Sequence, residues 1–304
     1  MCCSWRHDSV QRSPEREWPP ECSPPTFPHM TNTGRHGRAE LCFTRRGRRT
    51  ILQRCYTTLP ARVIRPFYVE DNGRAYVFLL TPTGGMLGGD RLDMHIIVEP
   101  GAQVCLTTAS ATKVHPAADV PAEQSLLIEL APGSALEYLP EPTILFRAAR
   151  WRQHTIVHRA PDSRFLLAEG WSAGRVARQE VFQFSHLETT LEVYTAAHLA
   201  LFDRMRIDTA TYPHQRLGLW AGRPHLLTMY LLQEHPPSQS SLQTLRTDLA
   251  DHPALAGVSR LEAAGIVVRI LGDEAEDMTR VSDLLWRHVR EDLWGEPWYA
   301  WRKL

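Results

Sequence analysis

Beyond Cys105 the chain has no cysteine at all. The six it carries, Cys2, Cys3, Cys22, Cys42, Cys55 and Cys105, include no C-x-x-C pair, which excludes a disulfide framework and a thiolate zinc knuckle. Net charge is missing too, since 34 Lys plus Arg offset 34 Asp plus Glu. No global field therefore draws the molecule to nucleic acid or to a membrane surface, and neither is an expected partner. Long apolar runs are absent, so no segment reaches the roughly 20 residues of a membrane span. The opening MCCSWRHDSVQRSPEREW has charge and proline where a secretory signal needs an apolar core. These absences together predict a reducing, cytoplasmic setting.

Catalytic signatures are equally scarce. The chain has no H-E-x-x-H and no dinucleotide fingerprint. His154 and His158 lie four apart in a strand-like run. At about 3.3 Å per residue that spacing separates them by roughly 13 Å, too far to share a metal unaided.

What is present begins with TPTGGMLGGDRL, Thr81 to Leu92, where Gly84, Gly85, Gly88 and Gly89 flank Met86 and Leu87 and Asp90 follows. Glycine-rich turns can cradle phosphate. This one lacks the lysine and hydroxyl of a P-loop, and from Leu92 the period-two pattern of Leu92, Met94, Ile96 and Val98 reads as a strand rather than a helix. The block is therefore expected to be a backbone device, with positive φ or a bulge among its glycines.

Residues 1–36 are rich in Pro, Ser, Arg and Glu without periodicity and read as a disordered extension; residues 37–304 read as one β-rich domain. Strand patterns follow in AELCFTRR, RRTILQRCY and AYVFLL, the last after an Asp71-Asn72-Gly73 turn. The turn cores Pro100-Gly101-Ala102, Pro132-Gly133-Ser134 and Pro161-Asp162-Ser163 then recur about thirty residues apart. Each reads as the tip of an antiparallel hairpin with a three-residue loop, which pairs Val98 with Val104, Leu130 with Leu136 and Val157 with Leu167. That register puts Asp93, His95, Cys105 and Thr107 on the opposite face, either a polar interior or a wet surface. Helical signal comes late: a short helix near Ser241–Leu249, a buried strand from Ala264, then an amphipathic helix over 273–293 with its stripe at Met278, Val281, Leu285, Val289 and Leu293. Asp273 and Glu276 form a capping-box pattern. The expected fold is mainly β, layered antiparallel hairpins in a β-helix-like or stacked-sheet domain, with a few helices toward the C-terminus.

Several blocks recur together in one order: RPFYVE, the glycine block, GAQVCLTTASATKVHP with Thr107, Thr108 and Lys113, LEYLPEPTILFRAAR with Glu137, and FLLAEGWSAGRVARQE with Glu169, Gly174, Arg175 and Glu180. Their order and spacing resemble the urease accessory protein family UreD (UreH), over about Ala39–Trp301. Ala168 and Val176 stand where that family usually has tryptophan and proline. The resemblance implies a non-catalytic maturation factor of β-helix-like fold. It would bind apo-urease subunits, recruit a helical accessory partner and, through it, a nickel-delivering GTPase, and pass transient Ni²⁺ along an internal path without a tightly bound cofactor. Gly84, Gly85, Gly88, Gly89, Asp90, Thr107, Thr108, Lys113, Glu137, Gly174 and Arg175 are then expected to be structural or partner-binding. Asp93, His95, Cys105, Glu169 and Glu180 are the expected weak nickel-path ligands, because dispersed oxygen and nitrogen donors let a borderline cation move on. Two alternatives stay open: an enzyme of uncharacterised β fold using the glycine loop and Lys113, and a nickel-storage protein.

Overall fold

The computed structural model describes residues 35–211, 216, 220–262 and 265–299. Most of the 1–36 extension, and Trp301, lie outside the described residues. Strands β1 (His36–Arg46) and β2 (Arg49–Thr57) form an antiparallel hairpin, and the short β3 (Arg62–Val63) pairs antiparallel with β4 (Ala75–Leu80). From β5 (Arg91–Val98) the chain winds in coils, each visiting two facing sheets. β6 (Gln103–Thr108), β9 (Ala135–Leu139) and β12 (Arg164–Ser172) stack in parallel on β4 in one sheet. The other, numbered the first sheet because β1 and β2 begin it, stacks β8 (Ala122–Leu130), β11 (Arg150–Arg159) and β13 (His186–Thr195) in parallel on β5, and the sheet of β4 is the second. A narrow third ladder runs from Met86 through β7 (Thr112–Val114) and β10 (Thr143–Leu145) to the end of β12. Antiparallel strands close the stack: β14 (His198–Asp208) on β13, β15 (His225–Leu232) on β12, β17 (Gly265–Gly272) on β15, and β16 (Leu255–Leu261) on β17. The result is a β-solenoid-like domain, mainly β with two helices near the C-terminus.

The three proline turns are not hairpin tips. They are the corners at which each coil passes from one sheet to the other, and they stack: Gly101 N–H donates to Pro132 O at 3.1 Å and Arg164 N–H to Ser134 O at 2.9 Å. Val98 pairs with Leu130 and Phe43, and Val104 with Leu136 and Ala75, so Val98 and Val104 belong to different sheets. The antiparallel register is thus replaced by a parallel, coil-to-coil one. Both arrangements satisfy the same alternation, because apolar faces that meet across a sandwich coincide as well as those of a hairpin. The interior carries continuous apolar columns such as Ile96–Ile128–Val157–Val193 and Leu106–Tyr138–Leu167–Tyr230.

The glycine block is indeed a backbone device. It delivers the buried Met86 to the third ladder, where Met86 N–H donates to Lys113 O at 2.8 Å and Met86 O accepts from His115 N–H at 2.9 Å. Gly85 has φ 136° and Gly89 φ 84°, while the Asp90 carboxylate accepts from Leu87 N–H at 2.8 Å. A Cβ on Gly85 would lie 2.4 Å from Lys113 O, whereas one on Gly84 meets nothing.

Helices α1 (Gln239–Ala250) and α2 (Ala275–His288) cover the outer face of the second sheet, packing Leu242, Leu245, Val281 and Leu285 over Leu227, Met229, Val268 and Ile270. Each such side chain contributes roughly 1.5–3 kcal/mol of burial. The capping box does not form: Glu274 is the N-cap of α2, without a side-chain cap, and Asp273 instead pairs with Arg223 at 3.1 Å. Past α2 a π-helical turn over Val289–Leu293 carries Arg290 into a buried ionic cluster. Arg290 donates to Glu137 at 2.8 and 2.9 Å and to Glu70 at 2.5 Å, Trp286 and Arg74 also donate to Glu137, and the Tyr76 hydroxyl donates to Glu70. Burial, with Arg290 nearby, lowers the Arg74 guanidinium to about 10.

Two stability outcomes follow. Gly84→Ala stays within about 0.5 kcal/mol of the parent, while Gly85→Ala costs about 2 kcal/mol or more through strain and the carbonyl clash; equal urea midpoints for the two would refute this account of the block. Glu137→Gln leaves Arg74 and Arg290 undercompensated in a dry site and costs about 3–5 kcal/mol in chemical denaturation.

Candidate functional site

Between the two sheets the apolar columns give way to a polar one. On the first sheet Gln124, Gln153 and Thr189 are successive register partners, and on the second Glu169 pairs with Thr228. Alternation puts these side chains inside: Gln153 lies two alternations before the buried Val157, and Glu169 two residues after the buried Leu167. A cavity of about 30 Å³, bordered by Thr108, Gln124, Glu141, Gln153 and Glu169, has room for one or two waters. Next to it a cleft of about 650 Å³ is bordered by Glu169, Thr189, Asp203, Thr228, Tyr230 and Arg269. Glu169 and Trp171 border both. Glu169 therefore stands at the junction of an inner cavity and an outward cleft.

Its environment is unusual for a carboxylate. Glu169 is 9% exposed, and Gln153 Nε2–H donates to its Oε1 at 2.5 Å. Burial pushes the carboxyl up to about 7; the Gln153 hydrogen bond lowers it and the Asp203 charge raises it. Asp203 accepts from the Tyr230 hydroxyl at 2.6 Å and pairs with Arg269. The same burial, with Glu169 and Asp203 close by, raises the Tyr230 phenol well above its usual range. Oxygen donors thus predominate, and among the described residues no three His, Cys, Asp or Glu side chains converge as a tight metal site.

Of the five expected path ligands only Glu169 reaches this space. Asp93 and His95 project from the outer face of the first sheet, Asp93 held by His36 at 2.5 Å and Arg91 at 2.9 Å, His95 by Glu129 at 2.6 Å. Cys105 is fully buried, but on the helix-covered face, as the register partner of Tyr76 and Glu137. Glu180 is committed to a loop: Arg175 pairs with it, holding its carboxyl below the usual range, and it accepts from Arg147 N–H at 2.5 Å. Gly174, at φ 149°, lets that loop close over Glu180 O.

The remaining motif residues are structural in their contacts. Thr107 donates to Leu139 O at 2.6 Å, Thr108 Oγ1 accepts from Glu141 N–H at 2.8 Å, and Lys113 contributes its backbone carbonyl while its side chain is exposed. The amides of Met86, Leu87, Gly89 and Asp90 are all engaged within the protein, so these four are not available to an anion. His154 and His158 do not share a site, since His154 pairs with Glu192 at 3.0 Å and His158 stacks on Tyr194.

Such a molecule is a stacked-coil, β-solenoid-like protein with a polar column in its interior, and the contacts of its glycine block and buried Glu137 cluster lie within the stack. The UreD urease accessory protein family matches residues 35–303, and the chain belongs to that family. It is 32% identical over 261 residues to the urease accessory protein UreD of Thermosynechococcus vestitus, covering 86% of this chain and 94% of that one. UreD 2 of Brucella anthropi is 32% identical over 270 residues, 88% and 96% of the two chains, and UreD of Lachnoclostridium phytofermentans 29% over 259 residues, 84% and 93%. These relatives are named as accessory proteins rather than enzymes. No helix among the described residues is long and apolar enough to cross a membrane.

The raised Glu169 carboxyl makes a pH-dependent cost. Unfolded, it loses its proton near 4.5; folded, near 7. Stability therefore falls as pH rises through that window, and the full cost, about 3 kcal/mol at 1.36 kcal/mol per pH unit, is present above about 7. Glu169→Gln is expected to melt several degrees above the parent at pH 8 and close to it at pH 4.5; the opposite order at pH 8 would show that the charged form is well solvated.

Proposed function

We propose that this chain acts in urease maturation as a scaffold that binds apo-urease and the other accessory proteins and gives Ni²⁺ an internal path toward the urease active site. One observation carries the reading: a buried carboxylate, Glu169, stands where an inner cavity and an outward cleft meet. A buried carboxylate without an ion-pair partner, set at a cleft, is a functional-site candidate. A passing divalent cation offsets the desolvation that raises the Glu169 pKa, with Asp203, Thr228, Tyr230 and the Gln153 carbonyl as further oxygen donors. Oxygen donors without thiolates or clustered imidazoles hold a borderline cation weakly enough to release it. That chemistry favours transit over storage. The helical accessory protein and the nickel-delivering GTPase belong to this reading as partners, and the cytoplasm as its setting.

The test is co-expression of the full chain with the urease subunits and the other accessory proteins. Glu169→Gln is expected to leave the amount of assembled complex unchanged and to lower nickel content and urease activity by roughly tenfold or more, the scale of disturbing a metal's supporting group. Wild-type activation by that variant would refute the path through Glu169. Equilibrium dialysis of the purified chain should show no tight Ni²⁺ retention; stoichiometric retention would favour storage instead.

A further inference from the structure

Among the described residues the first coil ends in two strand edges without a further partner strand, β2 on one sheet and the segment 59–69, which includes β3, on the other. The two edges are tied to each other: the Tyr68 hydroxyl donates to Thr50 O at 2.8 Å, Arg62 to Thr57 O at 3.3 Å and Thr50 N–H to Gly73 O at 2.8 Å. An end coil of a stacked protein needs a polar outer surface to remain soluble. This one instead exposes Tyr56 at 51%, Leu59 at 42%, Ile64 at 44%, Phe67 at 37% and Val69 at 46%. Around them Arg46, Arg48, Arg54 and Arg65 are exposed, and among the described residues none is in an ion pair. Glu70 is turned inward to Arg290, and Asp71 is the exposed carboxylate of the adjoining turn. The other end of the stack differs in the decisive respect: its Arg204, Arg206 and Arg269 are matched by Glu188, Asp208 and Asp203.

We infer that this end of the stack is a docking face for a folded protein whose surface is apolar at the centre and acidic around it. Unmatched guanidinium groups at the rim need carboxylates from outside, and the apolar side chains they surround need burial. Protein fits better than nucleic acid. Leu59, Ile64 and Val69 offer no stacking surface for a base, and the Phe67 ring is already stacked on Phe78 at 5.8 Å. Arginine beside apolar anchors is the usual composition of an interface centre and its rim.

The inference rests on the urease-maturation reading for the identity of the candidates, and the experiment separates the two. The tagged full chain is co-expressed with the urease subunits and the other accessory proteins, and the captured proteins are identified. Ile64→Asp with Phe67→Ser, and separately the charge reversal Arg46→Glu, Arg48→Glu, Arg54→Glu and Arg65→Glu, are each expected to lower capture of one acidic protein by roughly tenfold or more. Leu199→Asp with Phe202→Ser at the other end should retain it. Hydrogen exchange on the wild-type complex should show new protection over residues 53–69, which tests the face without relying on any variant's folding. If the wild-type chain captures nothing, the urease reading fails. If it captures its partners and residues 53–69 stay unprotected, the docking face fails. Arginine-dependent binding of a 20-nucleotide RNA unaffected by the Ile64 and Phe67 changes would overturn the inference in favour of nucleic acid, and a concentration-dependent dimer abolished by Ile64→Asp would overturn it in favour of a second copy.

Discussion

Everything in this molecule depends on the parallel register between successive coils. Because side chains alternate with period two, a slip of one residue between β11 and β12 relative to their neighbours would turn Gln153 and Glu169 out of the interior and bring His154 and Ala168 in. The register is held at three places in each coil. The corner turns stack backbone to backbone, the inner columns match Ile with Ile or Val, and the third ladder ties Met86, Val114 and Leu145 into line. The glycine block acts on that last tie. Its service to a polar interior is indirect, through the position of the strands that line it.

A second constraint binds the C-terminal helices to the stack. Glu137 belongs to β9, Glu70 and Arg74 to the chain leading into β4, and Arg290 to the turn after α2, so their buried cluster joins residues far apart in sequence. Buried ion pairs give little net stability over a well-packed apolar alternative, yet losing one partner is severe. Such a cluster specifies where α2 must sit more than it strengthens the fold. The helices thereby seal the outer face of the second sheet, where Cys105 lies, and leave the outer face of the first sheet to its histidine–carboxylate pairs.

Much of the architecture was legible in the chain itself. Period-two alternation located the strands, the recurrence of Pro-Gly or Pro-Asp turns gave the coil length, and the stripe from Met278 to Val289 located α2. What alternation does not encode is the direction of the partner strand. Corners and hairpin tips have the same turn chemistry, and only long-range pairing separates them. The same ambiguity covers Asp93, His95 and Cys105, whose shared outward parity the local pattern leaves open between polar interior and surface. Gln153 was within reach, because counting back from the buried Val157 puts it inside. Asp203 and Tyr230 were not, since they meet only after β14 and β15 close onto different sheets.

The polar column shows how a solenoid carries polar residues inside at little cost to its core. Residues aligned across coils run along the stack axis, perpendicular to the strands, so one polar residue per coil in the same register position makes a continuous file without interrupting any backbone ladder. Gln124, Gln153 and Thr189 form such a file on one sheet, with Glu169 and Thr228 facing it from the other. A helical bundle would need polar residues at several heptad positions to do the same, at greater loss of core. Here the cost is confined to one buried carboxyl, and its elevated pKa means that near neutrality it is poised between a neutral form that suits the dry interior and a charged form that suits a cation. Among the described residues the arginines that border the cleft are each held by a carboxylate other than Glu169: Arg204 by Glu188, Arg206 by Asp208 and Arg269 by Asp203.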